Sequence, residues 1–190
     1  MSKENEMNLK GFCLQELEAY LKFKSSDKII AFKEWFYSNS TTFTNVDKRI
    51  SEDLSNRHDC QVKDCYRNSW FACLYNHSLK YFEGFVASKD IPIPIQHAWI
   101  VNADGMVLDL TLIINGDKLK KQLKRKYGVV HNEQRKQRES RLGDEYFGVQ
   151  IPTAYVTKMS LKHKITGEWV YRYFYDKIYH ELAQVKEITN

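Results

Sequence analysis

The spacing of apolar residues changes several times along this chain, and each change predicts an element. In LQELEAYLKF, Leu14, Leu17 and Leu21 recur at helical spacing. In SSDKIIAFKEWFYS, Ile29, Ile30, Phe32, Trp35 and Phe36 form one apolar face, with Ser26 or Asp27 as the cap. A third, short helix is expected over 47–55, followed by a polar loop, SNRHDCQVKD. A helix from about Cys65 to Lys80 comes next, with Asp64 as N-cap and Tyr66, Trp70, Phe71, Leu74 and Tyr81 as packing residues. YFEGFVAS reads as a strand in which Gly84 marks a bulge or a close backbone approach. DIPIPI reads as an extended connection leading into a hairpin, IQHAWIVNADGMVLDLT. EYFGVQIP resumes the apolar pattern, AYVTKMSL and EWVYRYFYD read as strands joined through HKITG, and 177–186 reads as a closing helix. Helices, then strands, then a helix predict an α+β fold, with N-terminal helices packed on an antiparallel sheet.

The hairpin holds one histidine and one aspartate among residues that look buried, and a buried carboxylate is costly without a partner. Turn length decides whether they meet. A two-residue turn at Asp104-Gly105 puts Asp109 on the face opposite His97. A three-residue loop, Ala103-Asp104-Gly105, pairs His97 with Thr111 and Trp99 with Asp109. His97 and Asp109 are then diagonal neighbours, with Cα atoms roughly 7–8 Å apart. Gly105 suits the left-handed position of that loop, so this register is expected. Asp109 then accepts a hydrogen bond from Nδ1 and leaves Nε2 facing the site. Such a pair can be a satisfied core pair and nothing more. It becomes chemistry if a nucleophile joins it.

Composition narrows the classes. The chain has 190 residues, 43% hydrophobic and 14% aromatic, enough for one domain with a real core. It divides into a helical part over 1–60, a core over 61–114 and 145–190, and a basic helical insertion over 115–144. No apolar run is long enough to span a membrane, and the polar start MSKENEMNLKGF lacks a signal core, so a cytoplasmic location is expected. The four cysteines, Cys13, Cys60, Cys65 and Cys73, read as free thiols. Cys65 is the candidate nucleophile, because amides at a helix start stabilise a thiolate and can hold an oxyanion. Asp64 opposes the thiolate unless it is occupied with capping. Cys60 is the runner-up, Cys73 reads as core and Cys13 as structural. His58, Cys60, Cys65 and His77 lack zinc-knuckle spacing, and no phosphate-cradling glycine motif occurs, so no metal or cofactor is expected. Trp169, Tyr171, Tyr173 and Tyr175 alternate as cross-strand packing does.

The order DCYRNSWFAC, then YFEGFVA, then HAW-x-V-x-x-DG-x-V-x-D-x-T resembles the catalytic core of papain-like and transglutaminase-like thiol enzymes. It is also similar to small bacterial and phage proteins with a C-Y-x-N helix, a HAW strand and a later Y-F-G-V segment. The likeness covers about 65–111 and 146–152, with Leu110 standing where the family often has proline. It implies Cys65 as nucleophile, His97 as general base and acid, and Asp109 as the orienting carboxylate. It also implies an oxyanion place for Gln61; Asn68, one turn after Cys65, either lines the site or caps a neighbouring backbone group, and Trp99 is expected to line the site. The activity implied is a cysteine-dependent hydrolase or acyltransferase acting on an amide or thioester of a protein substrate.

The net charge is +5 and the pI about 8.9. Much of the excess lies in Lys118, Lys120, Lys121, Lys124, Arg125 and Lys126, and then in Arg135, Lys136, Arg138 and Arg141. A charge run of this kind is usually a solvated helix face. The functional alternative is a substrate or polyanion contact through 118–141, and with it a non-catalytic binding module for nucleic acid or a host protein.

Overall fold

The structure is a computed structural model that describes residues 27–88, 91–114, 116–127 and 142–181. The helix expected around Leu14, Cys13, and the basic residues from Arg135 to Arg141 lie outside these. Element order is α1 (Asp27–Asn39), β1 (Thr41–Phe43), α2 (Lys48–Arg57), α3 (Cys65–Tyr75), β2 (Lys80–Ser88), β3 (Ile91–Val101), β4 (Val107–Leu108), α4 (Gly116–Tyr127), β5 (Glu145–Gln150), α5 (Thr153–His163) and α6 (Val170–Tyr173). α6 runs on into a π-helical turn, Phe174–Tyr179.

The fold is α+β, as the order of elements predicts. Five strands form a sheet in the order β1-β5-β2-β3-β4, with every strand pair antiparallel. The 1–60 region is therefore not purely helical: it contributes the edge strand β1. Beyond β1 the chain curls across to the opposite edge. The Val107 amide donates to Asn45 O (2.9 Å), the Asp47 amide donates to Val107 O (3.0 Å), and Val46 bridges Val107. The sheet thus bends into a half-barrel.

The two faces carry two cores. Phe82, Val86, Trp99, Val101, Val107 and Tyr146 fill the inside of the curl, with Phe43, Val46 and Leu112 packed against them. The outer face, through Tyr81, Ala98, Ile100, Phe147 and Val149, packs on the helices. Gly84 and Gly148 are register partners, and a Cβ on Gly84 would lie 2.2 Å from Phe147 O. The close approach expected at Gly84 is present, and a side chain there would push β2 and β5 apart.

Three segments depart from the pattern reading. AYVTKMSL is α5, not a strand, because Tyr155, Val156, Met159 and Ser160 bury at helical intervals. EWVYRYFYD is α6 and the π-turn: Val170 and Phe174 point inward at i, i+4 spacing, while Tyr171, Tyr173 and Tyr175 remain exposed or half-buried. Their alternation is incidental to a helix. IPIPI belongs to β3, where Pro92 and Pro94 fall on a stretch that β4 does not pair, an edge that tolerates a missing amide. Among the described residues no helix is long and apolar enough to cross a membrane.

Candidate active site

The hairpin takes the register expected of it. Ile100 pairs with Leu108 and Val101 with Val107. The Asn102 amide donates to Met106 O (3.1 Å), and Gly105 turns the loop at φ +77°. The Asn102 side chain accepts from the amides of Asp104 (3.0 Å) and Met106 (2.9 Å), fastening the turn. Asp109 consequently meets His97, at 2.9 Å between Oδ2 and Nε2.

The nitrogen is the reverse of the one expected. Nε2 faces Asp109, so Nδ1 is the nitrogen left for Cys65. The carboxylate arrives diagonally from the neighbouring strand, where the far ring nitrogen reaches it.

Asp109 is fully buried and fully bonded. Oδ2 also accepts from the Tyr146 hydroxyl (2.8 Å), which itself accepts from the Gly143 amide (3.0 Å). Oδ1 accepts from the amides of Thr111 (3.0 Å) and Leu112 (2.9 Å). Its own amide donates to Ser51 Oγ on α2 (3.1 Å). Burial pushes the Asp109 carboxyl up, but the His97 charge, the imidazole hydrogen bond and the two amides outweigh burial and hold it below its ordinary value. Burial conversely pulls His97 down, and Asp109, by charge and by hydrogen bond, pushes it up with a further contribution from Cys65. The stable state is an imidazolium–carboxylate pair.

α3 brings Cys65 to this pair. Asn68 Nδ2 donates to Thr111 Oγ1 (2.8 Å), and Ser69 Oγ donates to Ala98 O (3.1 Å). The helix is thus pinned to the immediate surroundings of Asp109 and of His97. Cys65 is the first helical residue and acts on the imidazole as a near neighbour, by hydrogen bond and by charge. Asp64 occupies the N-cap position but its side chain makes no capping bond, lying instead 4.0 Å from Arg67. The amides of the first turn therefore take no carboxylate from Asp64.

Burial separates the thiols. Cys65 is partly exposed, whereas Cys60 and Cys73 are 1% and 0% exposed. Burial pushes Cys60 up to about 11 and Cys73 up to about 12. Cys60, the runner-up, is a core residue.

The site-lining residues divide. Asn68 is 2% exposed and structural: besides Thr111 it bonds Gln61 twice, donating to Gln61 O (2.7 Å) and accepting from its amide (3.1 Å). The Gln61 side chain donates to Asp59 O (2.8 Å), within its own loop and not toward an oxyanion position. Trp99 is fully buried, stacked on Phe82 at 6.0 Å and edge-on to Tyr146 at 5.3 Å. It supports Tyr146 from within the half-barrel and does not line an open site.

Two participants escaped the sequence reading. Tyr146 was visible only within an apolar run and as the start of the Y-F-G-V segment, with no role assigned to it. Glu83 was visible as one acid inside YFEGF; it is 1% exposed and accepts from the Tyr81 hydroxyl (2.7 Å) and the amides of Trp169 (2.8 Å) and Val170 (2.9 Å). Burial pushes it up to about 8, against the downward pull of these donors.

The basic helix α4 is docked rather than free. Gln122 accepts from the Val62 amide (2.7 Å) and donates to Cys60 O (2.9 Å), while Lys118 donates to Ser55 O (3.2 Å) and to Asn56 Oδ1 (3.1 Å). Leu119 and Leu123 pack on the core, and Lys121, Lys124 and Arg125 point outward. Lys120 and Lys126 lie on the same helix. Among the described residues no three His, Cys, Asp or Glu side chains converge as a metal site, and His58 stacks on Tyr75 at 5.4 Å. Comparison with protein-family models, with curated proteins and with solved structures finds no match.

Proposed function

We propose that this chain is a cysteine-dependent hydrolase or acyltransferase of papain-like or transglutaminase-like fold, acting on an amide or thioester of a protein substrate. The observation that carries the reading is the placement of the partly exposed thiol at a helix start, beside a histidine whose other nitrogen is held by a buried carboxylate. In the resting site the proton shared by Cys65 and His97 sits on His97, beside Asp109, and the thiolate attacks the carbonyl carbon. The first-turn amides of α3 stabilise the oxyanion. His97 then protonates the leaving group, and the acyl-enzyme passes to water or to an amine. Asp109 and Tyr146 keep the imidazole oriented and charged.

The test is iodoacetamide alkylation across pH, with the site found by mass spectrometry. Cys65 should label at pH values where Cys60 and Cys73 are silent, and His97→Ala should suppress that labelling. Equal labelling of the three, or indifference of Cys65 to His97→Ala, would falsify the reading.

The exposed Lys121, Lys124 and Arg125 favour one alternative, a binding module for nucleic acid or a host protein. In that case Cys65→Ala leaves binding intact, and charge reversal on α4 removes it with a steep salt dependence.

A further inference from the structure

A cleft opens on the helical side of the sheet near the first turn of α3. Tyr66 and Gln96, the chain neighbours of Cys65 and His97, form two of its walls, and Gly84, the register partner of His97, adjoins them. The empty space is about 340 Å³, part of it open to solvent.

The lining is apolar except at defined points. Phe36, Phe85 and Val170 supply flat aliphatic and aromatic surface. Glu83 lies at the buried end, with its oxygens already taken by Tyr81 and the start of α6. Glu168 stands exposed at the rim, and no cation is among the lining residues. Among the described residues Glu168 has no ion-pair partner. The residue is exposed, yet burial around its carboxyl raises it above its ordinary value; a cation there offsets that cost, and an acidic chain would be repelled. A lysine or arginine chain satisfies both parts, laying its methylenes on the apolar wall and its charge at the rim.

We infer that this cleft is the specificity subsite of the Cys65 centre, and that it takes a lysine or arginine side chain of the substrate, held at its charged end by Glu168. The inference rests on the thiol reading above.

The test uses dipeptidyl chloromethyl ketones carrying lysine, norleucine or glutamate at each of the two positions before the reactive carbon. The rate of Cys65 labelling is measured on the full chain. At one of the two positions the lysyl probe should react about threefold or more faster than the norleucyl probe, and the glutamyl probe slowest. Glu168→Gln should bring the lysyl-to-norleucyl ratio toward one, and Glu168→Lys should favour the glutamyl probe. Ratios taken within each variant cancel any general change in thiol reactivity. A norleucyl probe as fast as the lysyl one at both positions, or a lysyl preference that survives Glu168→Gln, overturns the inference. Failure of the thiol reading is seen separately, as iodoacetamide labelling indifferent to His97→Ala.

Discussion

Asp109 and Glu83 are both buried carboxylates on one sheet, on its inner and outer faces, and they settle in opposite charge states. Both are saturated with donors. Asp109 accepts from His97, Tyr146 and two amides, and Glu83 from Tyr81 and two amides. The difference is the imidazolium. Neutral donors pull Glu83 down, yet burial still leaves it near 8, while one adjacent cation keeps Asp109 ionised. Hydrogen bonds satisfy a buried acid; an opposite charge is what keeps it charged. The inner face therefore holds a charged pair. The outer face holds an acid that fastens the start of α6.

The largest effect should come from breaking the charged pair. Asp109→Ala leaves His97 and Tyr146 without their acceptor and should cost about 3–5 kcal/mol in urea denaturation. A loss under about 1 kcal/mol would mean the pair is not the buried, coupled unit described. Next comes Tyr146→Phe, which removes one donor to Asp109 and the acceptor of the Gly143 amide. It should cost about 1.5–3 kcal/mol, and His97 should show a changed imidazole titration by NMR.

The smallest effect should come from Glu83→Gln, which keeps an acceptor for the two amides and loses little where the native acid is already protonated. At pH 6 it should cost about 1 kcal/mol or less. The sign with pH follows from linkage. Glu83 is raised from an ordinary 4.5 to about 8, so its contribution is complete below 4.5 and is lost as pH climbs to 8. His97, raised above its ordinary 6.5, loses its contribution at higher pH. Between about pH 5 and 6.5 the downward slope belongs to Glu83, and the wild-type minus Glu83→Gln difference in urea midpoint should fall with pH there. A flat difference would mean the two carboxylates are alike after all.

Much of the inner face was legible in the sequence, because local rules govern it. Gly105 fixed the loop type, the loop fixed the register, and the register brought Asp109 to His97. The helix start at Cys65 was likewise local. What stayed hidden depends on partners distant in the chain. Tyr146 meets Asp109 only after β5 has crossed the sheet, and Glu83 finds its donors 86 and 87 residues later. The misread strands share that cause. Aromatic residues such as Tyr171 and Tyr173 mimic alternation, and only the packing of Val170 and Phe174 against the core selects a helix.

The docking of α4 has a mechanical consequence. Gln122 clasps the backbone on either side of Gln61, and Lys118 anchors the preceding turn. Force applied to the outward lysines of α4 passes through these bonds into the loop that leads to Cys65. An anionic surface gripping that helix would use it as a handle, and the stiffness of the handle would set how firmly Cys65 is held in place.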